Sequence, residues 1–155
     1  MASAPGTPST EATEVRTLDA AALEVPLAHD LWRLRQQVFV VEQECPYPDL
    51  DGRDLEPGTR HVLVLEEGTL LGCLRVLDDR SWARIGRVAV TPAARGRGLA
   101  ALMMEEALRV CGDREVRLDA QAHLAGFYAG FGFAASGPEF DEDGIRHVPM
   151  TRARP

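Results

Sequence analysis

"RVAVTPAARGRGLAALMMEEALRVCG", residues 87–112, carries the chain from a short strand-like alternation through turn residues and a glycine pair into a long apolar-periodic segment. Arg87-Val88-Ala89-Val90 has the two-residue period of a strand, and Thr91-Pro92 ends it because proline has no amide donor for a ladder. From Gly96 onward Leu99, Met103, Ala107 and Val110 recur on one helical face, and Gly112 stands where a helix stop is expected. Between them, Arg95-Gly96-Arg97-Gly98-Leu99-Ala100 lets successive backbone amides converge at a helix start, where unpaired N–H groups and the dipole favour an anion. A pyrophosphate fits that cradle, and so does an ordinary turn flanked by solvated arginines. The spacing is neither a P-loop, which ends in Gly-Lys-Ser/Thr, nor the dinucleotide GxGxxG with its downstream acid.

Outward from this stretch the pattern alternates. Upstream, "EVRTL" is a strand candidate, and Leu27, Leu31, Leu34, Val38 and Val41 mark one face of a helix. "CPYPDLDGRDLEPGTR" reads as a loop, because its prolines and Asp-Gly turn signals break both periods. "HVLVLEEGTLLGCLRVLDD" predicts two antiparallel strands around a turn near Glu67-Gly68, and "ARIGRVAV" a third. Downstream come a strand "EVRLDAQ", a short helix "HLAGFYAGF" and, after the acidic turn "DEDG", a last strand "IRHVPMTR". Strand and helix in alternation imply parallel strands joined by crossovers beside the earlier hairpin, so the expected class is α/β (α+β) with a mixed sheet flanked by helices. Residues 1–14, rich in Ala, Ser, Thr and Pro, read as a disordered tail, leaving residues 15–155 as one domain.

Composition excludes several function classes. The net charge of −7 argues against a phosphate-backbone binder, which needs a basic stripe, and makes a cationic amine the more natural partner. All 17 basic residues are arginine, so arginine near the glycines carries little weight by itself. Cys45, Cys73 and Cys111 form no CxxC pair, which fits small buried thiols in a reduced, cytoplasmic setting. No stretch is long and apolar enough for a membrane span. "DLDGRD" (residues 49–54) and "DEDG" (141–144) have the wrong glycine placement or length for a calcium loop, and no metal is expected.

The stretch Arg95, Gly98, Ala100 resembles the Arg/Gln-x-x-Gly-x-Gly/Ala pyrophosphate loop of the GNAT N-acetyltransferase superfamily. "RVAV" before it resembles the family's central strand, and "FYAGFGF" its tyrosine-bearing helix. "LRQQVFVVEQECPYPDLDGRD" and "FDEDGIRHVPM" are similar to the ElaA-type branch, so the resemblance spans roughly Leu27 to Met150. Where many members carry Asn and Ala seven and four residues before the tyrosine, this chain has Gln121 and Leu124. The resemblance implies a GNAT-like sheet whose two central parallel strands splay to admit acetyl-CoA as cosubstrate. Its pantetheine arm would lie along Arg87, Val88, Ala89 and Val90, and its pyrophosphate on Arg95, Gly96, Arg97, Gly98, Leu99 and Ala100, with Gln121 and Tyr128 nearby.

The chemistry so implied is direct attack of an amine on the thioester in a ternary complex. Amides near Val88 or Ala89 would stabilise the oxyanion, and Tyr128 would act as general acid on the departing thiolate. By its residues alone, Tyr128 reads first as a core ring packed with Phe127, Phe131 and Phe133, and the resemblance turns the balance to catalysis. Glu44, His61, His123, Glu139 and His147 are candidates to accept the amine proton, and Glu44, Asp49, Asp51, Glu139 and Asp141 to line a cationic acceptor's site. The expected partners are acetyl-CoA and an amine, with a second copy of the chain allowed for and neither nucleic acid nor membrane. "VFVVEQ" is also similar to the entrance of acyl-homoserine-lactone synthases, and a non-catalytic acyl-CoA-binding module would keep residues 95–100 without depending on Tyr128.

Overall fold

The computed structural model describes residues 12–155; of the expected tail, residues 1–11 lie outside the described residues. The first strand, β1 (Thr13–Leu18), takes in the last two residues of that tail. A helix α1 (Val25–Arg35) follows and runs on through a π-helical turn over Gln36–Glu42. Then come β2 (Arg60–Glu66), β3 (Thr69–Asp78), β4 (Trp82–Val90), α2 (Leu99–Cys111), β5 (Glu115–Gln121), α3 (Ala125–Ala129), β6 (Ala134–Ala135), β7 (Phe140–Glu142) and β8 (Ile145–Arg152). The strands form one mixed sheet in the order β1-β2-β3-β4-β5-β8-β6, with β7 on β8.

Among the described strands only β4 and β5 pair in parallel; β8 returns antiparallel to β5, because the five-residue α3 makes no full crossover. The expectation of further parallel strands is corrected accordingly, and β6 and β7, two and three residues long, were too short to show a period. In β2 both faces are buried: Val62 and Val64 pack beneath α2, while Leu63 and Leu65 pack beneath α1.

Both long helices depart in phase from their sequence pattern. The π turn bonds i to i+5, so the apolar stripe of α1 rotates after Arg35 and Val41, expected on the inner face, is 64% exposed. In α2 Met104 and Cys111 join Leu99, Met103 and Ala107 against the sheet, and Val110 is half-buried. Helix α2 lies close on β3 at Gly72, where an added Cβ would stand 3.0 Å from Met103 Cε, 3.0 Å from Val64 Cγ1 and 3.1 Å from the Ala89 carbonyl oxygen. Glycine there sets the distance between helix and sheet.

The loop of residues 43–59 is held by charge. Arg35, fully buried on α1, donates Nε–H to Asp49 at 2.9 Å and binds both Asp54 oxygens at 2.6 and 3.1 Å. Arg75 of β3 reaches Asp51 at 2.6 and 2.9 Å and Asp54 at 3.2 Å. Arg87 of β4 pairs with Asp49 at 2.8 Å and Asp51 at 3.4 Å. Three guanidinium groups thus face three carboxylates, and the aspartates of "DLDGRD" anchor the loop to α1, β3 and β4. All three cysteines are free and buried, and burial pushes the thiols of Cys73 and Cys111 up to about 12 and about 11.

Candidate active site

Strands β4 and β5 pair over only Trp82–Arg84 and Glu115–Arg117, then part company. The cause is on the other side of β4. Gly86 and Ala89 stand opposite Arg75 and Cys73, so Arg87 and Val88 together face the single residue Leu74, which is a β-bulge. Arg87 adopts the left-handed region at φ 53°, costly for a non-glycine residue by about 1–3 kcal/mol. Its side chain is fixed by Asp49 and Asp51, and its guanidinium lies 5.4 Å from the centre of the Tyr47 ring. The bulge bends β4 away, and among the described residues no strand pairs with its β5-facing edge from Ile85 to Val90.

A cleft of about 250 Å³ opens in the gap. Gly86, Arg87 and Val88 form one wall and Gln121 with Tyr128 another, while the hairpin of β7 and β8 adds Glu142, Asp143 and His147. Of the residues expected to hold the cofactor, Arg87, Val88, Gln121 and Tyr128 meet here, together with His147 from the candidate bases. Ala89 instead points into the core beneath α1 and is not among the residues that line the cleft. Val90 ends the strand, and its carbonyl accepts Nε–H of Arg95 at 3.1 Å.

The chain then enters α2 through Gly96 (φ 79°) and Gly98 (φ 77°), left-handed conformations that glycine adopts without strain. Gly98 is the N-cap, and no side chain caps the helix, so its first-turn N–H groups face outward. A Cβ at Gly96 or Gly98 would meet nothing within 4 Å, which leaves open space over the amides. Arg95 makes a two-pronged pair with Glu42 at 2.6 and 2.7 Å, and Arg97 pairs with Glu66. Leu99 is core and Ala100 half-buried. The glycine loop and the cleft therefore lie at the two ends of the β4 edge that β5 leaves unpaired.

Tyr128 is 7% exposed, edge-on to Phe127 at 5.1 Å and to Phe133 at 6.2 Å, so the packing reading is met. Phe131 packs against Phe127 instead. Among the described residues the Tyr128 hydroxyl has no hydrogen-bond partner, while Tyr128 lines the cleft. Burial pushes its phenol up to about 12, which keeps it protonated and able to donate. Gln121 at the end of β5 donates Nε2–H to Gln43 at 3.4 Å, closing one end of the cleft.

The expected acceptor-binding acids are not where they were placed. Asp49 and Asp51 are consumed by the buried network, Glu139 and Asp141 pair with Arg146 at 3.0 and 3.7 Å, and Glu44 is exposed outside the cleft. Asp119, Glu142 and Asp143 line it instead. Asp119 was legible in principle, because it stands two residues before Gln121 on the same strand face. Arg84, also in the lining, is 3.6 Å from Asp119 and 3.7 Å from Asp79. Among the described residues no cluster could hold a metal ion, and no helix is long and apolar enough to cross a membrane.

Residues 33–154 match the acetyltransferase (GNAT) domain family. Protein ElaA of Escherichia coli K12 is 41% identical over 146 residues, 90% of this chain and 95% of its own length. The crystal structure of Escherichia coli ElaA superposes with a TM-score of 0.86 over 91% of this chain and 99% of that one. That of an acyl-CoA N-acyltransferase from Pseudomonas aeruginosa, 40% identical, gives 0.86 over 92% and 100%. The AHL synthase LasI, 17% identical with a TM-score of 0.72 over 91% and 89%, shares the fold alone.

Proposed function

Since the chain belongs to the GNAT acetyltransferase family, whose fold generally takes acyl-CoA, we propose that it transfers an acetyl group from acetyl-CoA to an amine by direct attack in a ternary complex. The observation that carries this reading is the bare edge of β4, running from the uncapped N-terminus of α2 to a cleft that holds the buried, proton-retaining Tyr128. The pyrophosphate would take the amides of residues 96–100, where the space above both glycines is open. Arg95 and Arg97 would exchange their carboxylate partners for phosphate oxygens. The pantetheine amides would pair with residues 87–90 as a strand would.

At the reacting end, an amide at the bulge, from Val88 or Ala89, would face the carbonyl oxygen as negative charge develops there. The Tyr128 hydroxyl would give its proton to the leaving thiolate. A cleft of about 250 Å³ must hold both the acyl group and the acceptor, which supports acetyl over a long acyl chain.

The test is Tyr128→Phe, which keeps the ring and removes only the hydroxyl. Acetyl-CoA affinity should be unchanged and turnover with an amine acceptor should fall by about 10²–10⁴-fold, the usual span for general acid catalysis. Equal turnover in the two proteins, with chemistry limiting, would return Tyr128 to a packing role. Acetyl-CoA binding without thioester cleavage in the parent would identify a binding module.

A further inference from the structure

The proton that leaves the attacking amine needs an acceptor, and the histidines are unequal candidates. The chain has four. His29 is exposed on α1, beside Asp30 at 3.9 Å. His61 is fully buried, with Nε2 3.0 Å from the Asp54 carbonyl oxygen, so that nitrogen serves as a donor and the ring belongs to the loop anchor. His123 is exposed and outside the cleft lining, as is Glu44, and Glu139 is held by Arg146. His147 alone of these lines the cleft with Tyr128.

Two contacts fix its ring. Nδ1 stands 2.8 Å from the Ile145 carbonyl oxygen, which can only accept, so Nδ1 carries the proton and the lone pair is on Nε2. The ring stacks on Phe140 of β7, its partner in strand register, with centroids 5.7 Å apart and planes 19° apart. On its other side His147 pairs in register with Gln121, at the splayed end of β5. Among the described residues Nε2 has no hydrogen-bond partner.

From this geometry we infer that His147 is the general base of the reaction, accepting the amine proton at Nε2. The inference rests on the acetyl-transfer reading above. As the amine nitrogen bonds to the thioester carbon, one N–H proton passes to Nε2; the C–S bond then breaks and the thiolate takes the Tyr128 proton. Solvent returns the imidazolium proton to the tyrosinate, so one amine and one acetyl-CoA give one amide and one CoA thiol.

Several charged or titratable groups share the cleft with His147. The hairpin contributes Glu142 and Asp143, and β5 contributes Asp119 beside Arg84 of β4. Arg75 and Arg87 are engaged by the loop aspartates. Cys45, Tyr47 and Tyr128 complete the set.

The test is His147→Asn, whose side-chain amide can still donate to the Ile145 carbonyl while offering no base. Acetyl-CoA affinity and the acceptor KM should stay within threefold of the parent, while kcat falls by about 10²-fold or more. The parent kcat/KM should fall on the acid side with an ionisation that the variant lacks. Nitrogen-15 spectra of the parent should show neutral His147 in its Nδ1–H form. A variant with parental kcat and an unaltered acid limb, or a parent ring in the Nε2–H form, would overturn the assignment. Absence of transfer by the parent to any amine overturns the acetyl-transfer reading instead, and that result is seen before any variant is made.

Discussion

Asp54→Asn tests the charge network that holds the cleft's bent wall. Asp54 is 4% exposed and bonds to two buried guanidinium groups, Arg35 at 2.6 and 3.1 Å and Arg75 at 3.2 Å. Replacement by the isosteric amide leaves three cations against two anions, one positive charge uncompensated out of water. Breaking a buried pair in this way costs about 3–5 kcal/mol. The lower end is expected here, because the amide oxygen still accepts from Arg35. For a chain of this size, a loss of about 3 kcal/mol lowers Tm by about 6–12 °C, at about 2–4 °C per kcal/mol. Reversible urea unfolding followed by tryptophan fluorescence gives the free energy directly. The exposed control Asp141→Asn, 3.7 Å from Arg146, should stay within about 0.5 kcal/mol of the parent. Arg35→Met with Asp54→Leu restores balance at two charges of each sign and should cost less than the sum of its single variants. An Asp54→Asn protein within about 0.5 kcal/mol of the parent would refute the reasoning.

Acid should expose the same network. The Arg75 hydrogen bonds hold the Asp51 carboxyl well below the usual carboxylate range; burial works to raise Asp54, but its bonds to Arg35 and Arg75 prevail and lower it. With folded values below the unfolded ones, the stabilisation is present above about pH 4 and is lost as pH falls further, so urea midpoints should drop steeply there. A flat midpoint between pH 5 and 3 would contradict this. Gly72→Ala should lose about 1–3 kcal/mol in the same assay, since its methyl group meets Met103, Val64 and the Ala89 carbonyl at about 3 Å; parental stability would mean that α2 can shift freely. Gly98→Val should remove most of the thermal stabilisation by acetyl-CoA, because the branched side chain occupies the space over the amides and disfavours φ 77°. Unchanged affinity in the folded variant would take the loop out of the site.

What was legible in the sequence is what repeats locally. The hairpin of β2 and β3 announces itself by apolar runs around Glu67-Gly68, and the entry to α2 by its glycines, because both are set by neighbours in the chain. The bulge at Arg87 was not legible, since nothing in "RIGRVAV" distinguishes a left-handed arginine from an extended one; partners from the loop of residues 43–59 hold it there. For the same reason Asp49, Asp51 and Asp54 read as turn residues: their composition fits a solvated turn, and only the fold brings Arg35 and Arg75 to them. Val41 misled because a π turn changes phase without a change in composition. The role inferred for His147 depends on a carbonyl two residues away and a ring across a strand pair, neither of which a spacing argument can orient.

The most direct measurement follows the acetyl group itself. The parent protein is incubated with acetyl-CoA carrying a labelled acetyl group and with a panel of polyamines, aminoglycosides, amino acids, arylamines and peptides with free N-termini. Direct transfer predicts label in an N-acetylated amine in equal amount to the free CoA thiol, with none on the protein, and cationic acceptors favoured over anionic ones by Asp119, Glu142 and Asp143. Acetyl-CoA that binds but never yields an acetylated amine at any pH, or label trapped on the protein as an intermediate, would contradict it.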